Sequence, residues 1–229
     1  MYTPSAFQVT DPAELAAFMR RHSFATLVTH DGTAPHATHV PVVLEDGGPH
    51  GTLVTHLSRG NPQWRHAADG QEVLVIFTGP HAYVSPQWFQ TSPAVPTWNY
   101  TAVHAYGRAR IIEDPARLVA RLGTLVETFE AGRVDRWDGA LPPDYRDRLL
   151  HGIVGLEVAI TRLEGKWKLG QNRPEDMPGV IAALAHSPDQ TERETAALME
   201  RVHGAVTGVG GEMPPHRSVT ACDGQRNDR

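Results

Sequence analysis

Residues 24–45 constrain this chain more than any other stretch. F-A-T-L-V-T-H alternates with the period of two that belongs to a strand, Asp31-Gly32 is a strong hairpin-turn signal, and A-P-H-A-T-H-V-P-V-V-L-E returns as a second strand. An isolated hairpin cannot bury its apolar face, so further strands must join it. Pro35 and Pro41 lack backbone donors and mark an edge, a bulge or a break in the returning strand.

The rest of the chain supplies those strands. Residues 52–58 alternate again, and 71–79 are mostly apolar, which predicts burial on both faces, with Gly79-Pro80 interrupting before H-A-Y-V-S. In the run over 97–113, Trp98, Tyr100, His104 and Tyr106 share one face, and Asn99, Thr101, Val103 and Ala105 the other. A last strand over 153–161 is expected to turn at Glu164-Gly165 and return as K-W-K-L. Asp11-Pro12 and Asp114-Pro115 each pair an N-cap with proline at the first helical position. Their helices carry the stripes Leu15/Phe18/Met19 and Leu118/Leu122/Leu125/Val126/Phe129. A single helical turn at Ser85-Pro86, a short helix near 144–150 and a capped helix from Ser187-Pro188-Asp189-Gln190 to about 202 complete the reading. Because no β-α-β alternation occurs, the expected class is mainly β with helices (α+β). The fold read is an antiparallel, Greek-key-like barrel with C-terminal helices rather than a doubly wound sheet.

At 229 residues and 40% hydrophobic, the chain can build one large core. We divide it into a barrel domain over 1–185, a helix over 186–203 and a Gly/Pro-rich tail over 204–229 expected to be disordered. No apolar run reaches membrane-spanning length, M-Y-T-P-S-A-F has no leader pattern, and the one cysteine, Cys222, cannot form an intramolecular disulfide. A cytoplasmic protein is expected. The net charge of −5 and the lack of a helix-turn-helix make specific DNA binding doubtful. The 13 histidines show no zinc-ligand spacing, and no metal site is expected from sequence apart from a possible haem ligand.

The stretch 51–64, G-T-L-V-T-H-L-S-R-G-N-P-Q-W, runs a strand into a turn and a short helix begun by Asn61-Pro62. Ser58, Arg59 and the helix N–H groups suit a phosphate or carboxylate; the plainer reading is a capped helix beside a solvated arginine.

The chain resembles the PaiB-type family described as FMN-binding negative transcriptional regulators. The matching pieces are M-Y-T-P at the start, A-T-H-V-P (37–41), H-L-S-R-G-N-P-Q-W (56–64), G-P-H-A-Y-V-S-P-Q-W (79–88), V-P-T-W-N-Y-T-A-V-H (95–104) and G-K-W-K-L-G-Q-N-R (165–173). Their joint order is more specific than any one of them. The resemblance implies the FMN-binding split β-barrel fold and a homodimer with FMN between subunits, performing redox chemistry on a small molecule. It is also similar to haem-binding members of this scaffold, among them piperazate synthases, which form an N–N bond in N-hydroxyornithine. Haem b is therefore the alternative cofactor, with His56 as axial ligand. A non-catalytic transcriptional regulator is a second alternative.

The cofactor-binding set implied is His39, Thr55, His56, Ser58, Arg59, Asn61, Trp98, Asn99, Lys166, Lys168, Gln171 and Asn172. Each has a plainer reading. His39 and His56 would otherwise be packed strand histidines, Trp98 a core residue, and the two lysines a solvated edge. With no triad and no paired carboxylates in the sequence, any catalysis belongs to the cofactor.

Overall fold

The computed structural model describes residues 1–68 and 70–207. A 3₁₀ turn and the short β1 (Gln8–Val9) lead into α1 (Pro12–Arg21), capped by Asp11, which accepts from Ala13 N at 2.9 Å. The hairpin follows as β2 (Phe24–His30) and β3 (Pro35–Pro41), then β4 (Val43–Glu45) and β5 (Thr52–Ser58). After α2 (Gln63–Ala68) come β6 (Glu72–Val84) and β7 (Thr97–Ile112). The helices α3 (Pro115–Glu130) and α4 (Pro143–His151), the strand β8 (Ile153–Lys168), and α5 (Met177–Ala185) with α6 (Gln190–Thr207) complete the described chain.

All pairings are antiparallel, in the order β3-β2-β6-β7-β8-β5-β4, with β1 on β8. The outermost strands, β3 and β4, are separated in the chain by Val42 alone. Successive Cα atoms lie about 3.8 Å apart, so the sheet has to roll until its two edges meet. Thr55 Oγ1 donates to Pro41 O across that seam at 2.6 Å, and Val42 N donates to Ser23 O at 2.8 Å. The prolines mark this break, as their missing donors require.

Leu27, Leu53, Phe77, Val103, Leu156 and Trp167 fill the interior. Helix α1 joins this core through Phe18, 4.7 Å from Trp167. Helix α3 covers one end of the outer face, where Arg117 and Arg121 grip Glu157 of β8 and Arg121 also binds Glu45.

Three expectations are corrected and one helix is added. Glu164-Gly165 is not a turn: β8 runs unbroken to Lys168, and Gly165 is glycine because a Cβ would stand 2.4 Å from Leu15 Cδ2 of α1. Gly79-Pro80 does not end β6 but forms a bulge between Thr78 and His81. β6 is not buried on both faces, since Leu74 and Ile76 are half-exposed. Helix α5 was not foreseen, because M-P-G-V-I-A-A-L-A is apolar with little helical period. The final helix continues past the expected end to Thr207, and the tail over 208–229 lies outside the described residues.

Candidate functional site

Side chains at even positions of β7 point to the outside of the barrel, and the register carries that face across five strands. His39, Thr26, Ile76, His104 and Glu164 form one row; Ala37, Val28, Leu74, Tyr106 and Arg162 form the next. Toward the start of β7 lie Tyr83 with Trp98, and His81 with Tyr100 and Lys168. Among the described residues no helix shelters this area: Phe24 is 71% and Trp98 54% exposed. Trp98 therefore does not face the core; Tyr83 meets its ring edge-on at 5.9 Å. His39 is on the same open face, hydrogen-bonded through Nδ1 to Thr26 Oγ1 at 3.0 Å.

The two lysines border this face with no carboxylate partner among the described residues. Lys166, 8% exposed, donates to Tyr2 O at 3.0 Å and lies 5.2 Å from the centre of the Tyr100 ring. Lys168 donates to Thr97 Oγ1 at 2.6 Å and Trp98 O at 2.5 Å. Burial, and then the charge of Lys166, lower the pKa of Lys168. The expected like-charge pair is thus real, and an anion would relieve it.

Beside Lys168 opens a cavity of about 230 Å³. Asn99, Lys168 and Asn172 meet there with Arg173, Thr97 and Phe89. Asn99 is buried and donates to Met199 Sδ of α6 at 3.2 Å. Gly170, with φ of +93°, turns the chain out of β8 so that Asn172 and Arg173 reach the cavity. Gln171 does not line it: its amide accepts from Leu169 N and donates to Trp167 O, fastening the turn. Asp176 lines it but is committed elsewhere, accepting from Gln90 N, Thr91 N and Thr91 Oγ1. Burial pushes the Asp176 carboxyl up, and these bonds more than offset it, so the net shift is downward. Arg173 and Asp176 were missing from the sequence-derived set. The glycine before Gln171 was the available signal for the first, whereas the partners of Asp176 are distant in sequence and left none.

The corner at Ser58 and Arg59 lies elsewhere. Arg59 donates from Nε to His151 O and from Nη2 to Ile153 O, both at 3.0 Å, joining the turn to the end of α4. Ser58 Oγ accepts from Gly60 N, and Asn61 caps α2 by accepting from Gln63 N while donating to Thr38 Oγ1. Thr55 is buried on its bond to Pro41 O. His56 pairs with Gly155, which pairs with Ile112, so it lies on the outer face toward α3. Its Nδ1 is buried without a hydrogen-bond partner, and burial lowers its pKa. From Trp98 to Ile112 is about 45 Å along the strand. Most of the predicted residues thus fall into two groups at opposite ends of the barrel, with Thr55 and Asn99 turned inward and His39 in the His104 row between them, and a single flavin cannot touch both groups within one protomer.

Similar proteins agree on the architecture. The chain is 38% identical over 203 residues to the protease synthase and sporulation protein PAI 2 of Bacillus subtilis, covering 87% of this chain and 97% of that protein. An uncharacterised protein of Emericella nidulans is 33% identical over 186 residues, covering 65% and 74%. Among solved structures, the FAD and heme binding protein from Mycobacterium smegmatis superposes with a TM-score of 0.54 at 22% identity, over 70% of this chain and 73% of that one. The flavocytochrome Anf3 from Azotobacter vinelandii does so with 0.56 at 16% identity, over 70% and 69%. These two show a shared split-barrel fold. With residues 1–162 matching the family model described as "Putative FMN-binding domain", and with the kinship to PAI 2, the chain belongs to the PaiB-type family of FMN-binding split-barrel proteins.

Proposed function

We propose that this protein binds FMN between two copies of itself and uses it for redox chemistry on a small molecule. The observation that carries this reading is the exposed aromatic face, bordered by two lysines that have no carboxylate partner among the described residues. The donors fit a flavin phosphate. Lys168 and Arg173 exceed Asp176 by one positive charge at the cavity, and Asn172 adds an amide. An isologous dimer about this face sets each copy's α3 end against the partner's Lys168 end. Both groups of predicted residues then face one ligand, which a single protomer does not allow.

When bound, FMN supplies one- and two-electron transfer. The chain's own residues do the rest. Lys168, with Lys166 behind it, neutralises the phosphate, while Trp98 and Tyr83 wall the ring and exclude water. His104 offers an imidazole whose Nδ1 is buried without a partner, and burial, before any nearby charge, lowers its pKa. The half-exposed ring is thereby kept neutral at pH 7, the form that can accept a proton from a bound small molecule.

Haem is the second reading, favoured by the neutral, unpartnered imidazole of His56, and would suit a biosynthetic enzyme of the piperazate synthase kind. The absorption spectrum of the purified protein, with light scattering for mass, tests both. Flavin absorption and a dimer that Trp98→Glu dissociates are expected; a Soret band lost in His56→Ala selects haem. A colourless monomer without FMN affinity refutes the proposal. Sequence-specific DNA binding at physiological salt, without any bound cofactor, selects the regulator reading. Among the described residues no helix is long and apolar enough to cross a membrane.

A further inference from the structure

On the side of the hairpin away from the open face, three potential metal ligands meet. Asp31 Oδ2 and His36 Nε2 are 2.8 Å apart, the His36 and His66 ring centres are 4.8 Å apart, and one ligand atom from each residue lies within 4.8 Å of the others. Among the described residues this is the one group of three or more His, Cys, Asp or Glu side chains close enough to share an ion. We propose that Asp31, His36 and His66 form a binding site for a divalent transition-metal ion of the zinc class, two imidazoles and one carboxylate, with the remaining coordination open to water or a small anion.

The chemistry of the set fits. Two nitrogens and one oxygen are ligands that zinc, cobalt and nickel accept, and three protein ligands with an open position describe a reactive rather than a closed structural site. Asp31 Oδ1 already accepts from Thr33 N, Thr33 Oγ1 and Ala34 N, leaving Oδ2 to point at His36. These bonds fix the orientation of the carboxylate within the turn. Thr29 Oγ1 lies 3.3 Å from Nδ1 of His66, which orients the ring and leaves Nε2 for the ion.

The frame is also built in advance. His66 rides on α2, and α2 is fixed to the hairpin by the buried Gln63. Its amide donates to Leu27 O at 3.0 Å and to His36 O at 3.1 Å, and its oxygen accepts from Thr38 Oγ1. One bond therefore runs to the backbone of a ligand itself. Zinc–nitrogen bonds of about 2.0–2.1 Å require ligand atoms closer together than 4.8 Å, which rotation of the half-buried His66 ring can provide. The ligands come from a turn, the strand five residues on and a helix thirty residues beyond that, so no contiguous motif announces them. The site faces away from the proposed flavin surface and does not depend on it.

The test uses the full chain, free of any affinity tag and stripped with a chelator, titrated with zinc by calorimetry and with cobalt(II) by visible absorption. One zinc per chain and cobalt ligand-field bands are expected. His36→Ala and His66→Ala should each weaken binding roughly 10–100-fold, and Thr29→Val by less, while His50→Ala and His186→Ala leave it intact. Asp31→Asn, which retains the turn's acceptor oxygen, serves as a second ligand variant if a histidine variant misfolds, with far-ultraviolet circular dichroism reporting folding. Unchanged stoichiometry and affinity in the folded ligand variants, or no saturable binding by the wild type, would overturn the site.

Discussion

Replacing Lys168 by alanine tests the flavin proposal most directly. The ammonium is half-buried, held by Thr97 Oγ1 and Trp98 O, and has no carboxylate partner among the described residues. A hydrogen bond to a charged group contributes about 1.5–3 kcal/mol. At about 1.4 kcal/mol per factor of ten, Lys168→Ala should raise the Kd for FMN roughly 10–150-fold. The assay is quenching of flavin fluorescence on titration into cofactor-free protein, done in parallel with riboflavin, which has the ring but no phosphate. If Lys168 reads the phosphate, wild type prefers FMN, the variant loses that preference, and riboflavin affinity hardly changes. Because burial, then Lys166, lower the pKa of Lys168, the FMN preference should also fade as pH rises through that lowered value. Equal weakening of both ligands would move Lys168 away from the phosphate, and no weakening of either would remove it from the site.

Other perturbations have defined outcomes. Gly165→Ala forces a methyl group to 2.4 Å from Leu15 Cδ2 and 2.8 Å from Val9 O, and should destabilise the fold by about 1–3 kcal/mol in urea denaturation. Glu157→Gln should cost about 1.5–3 kcal/mol at neutral pH. Burial pushes the Glu157 carboxyl up, but the bonds from Arg117 and Arg121 outweigh it and its folded pKa is lowered. Its contribution is therefore present above the ordinary carboxylate pKa and lost as pH falls through the folded value; acid titration of wild type should show that slope and the variant a flatter one. Arg59→Ala should lower the melting temperature through its lost bonds to His151 O and Ile153 O, while changing FMN affinity less than Lys168→Ala does.

Local chemistry was legible in the sequence and distant contact was not. Asp11 and Asp114 cap α1 and α3 as read, because a cap is settled within three residues. Alternation in β7 separated its two faces correctly. Which face stays open depends on where the helices lie, so Trp98 could be read either way. Gly165 resembled a turn residue because glycine in a tight contact and glycine in a turn look identical in one dimension. Lys166, Lys168, Asn99 and Asn172 were nominated together, and three of them line the cavity. The cluster proposed to bind a metal left no signal in the sequence because Gln63, not sequence proximity, brings His66 to His36.

Val42 has a consequence for how this molecule can be cut and rejoined. The link it forms is covalent from the start, yet the five other strands of the main sheet must take their places between β3 and β4 before the barrel can close, so closure reports on completed assembly rather than on a local event. Circular permutants with new termini at 46–48 should keep the native wrap. Severing the chain at 42 would remove the covalent latch, leaving two exposed strand templates free to recruit neighbouring molecules.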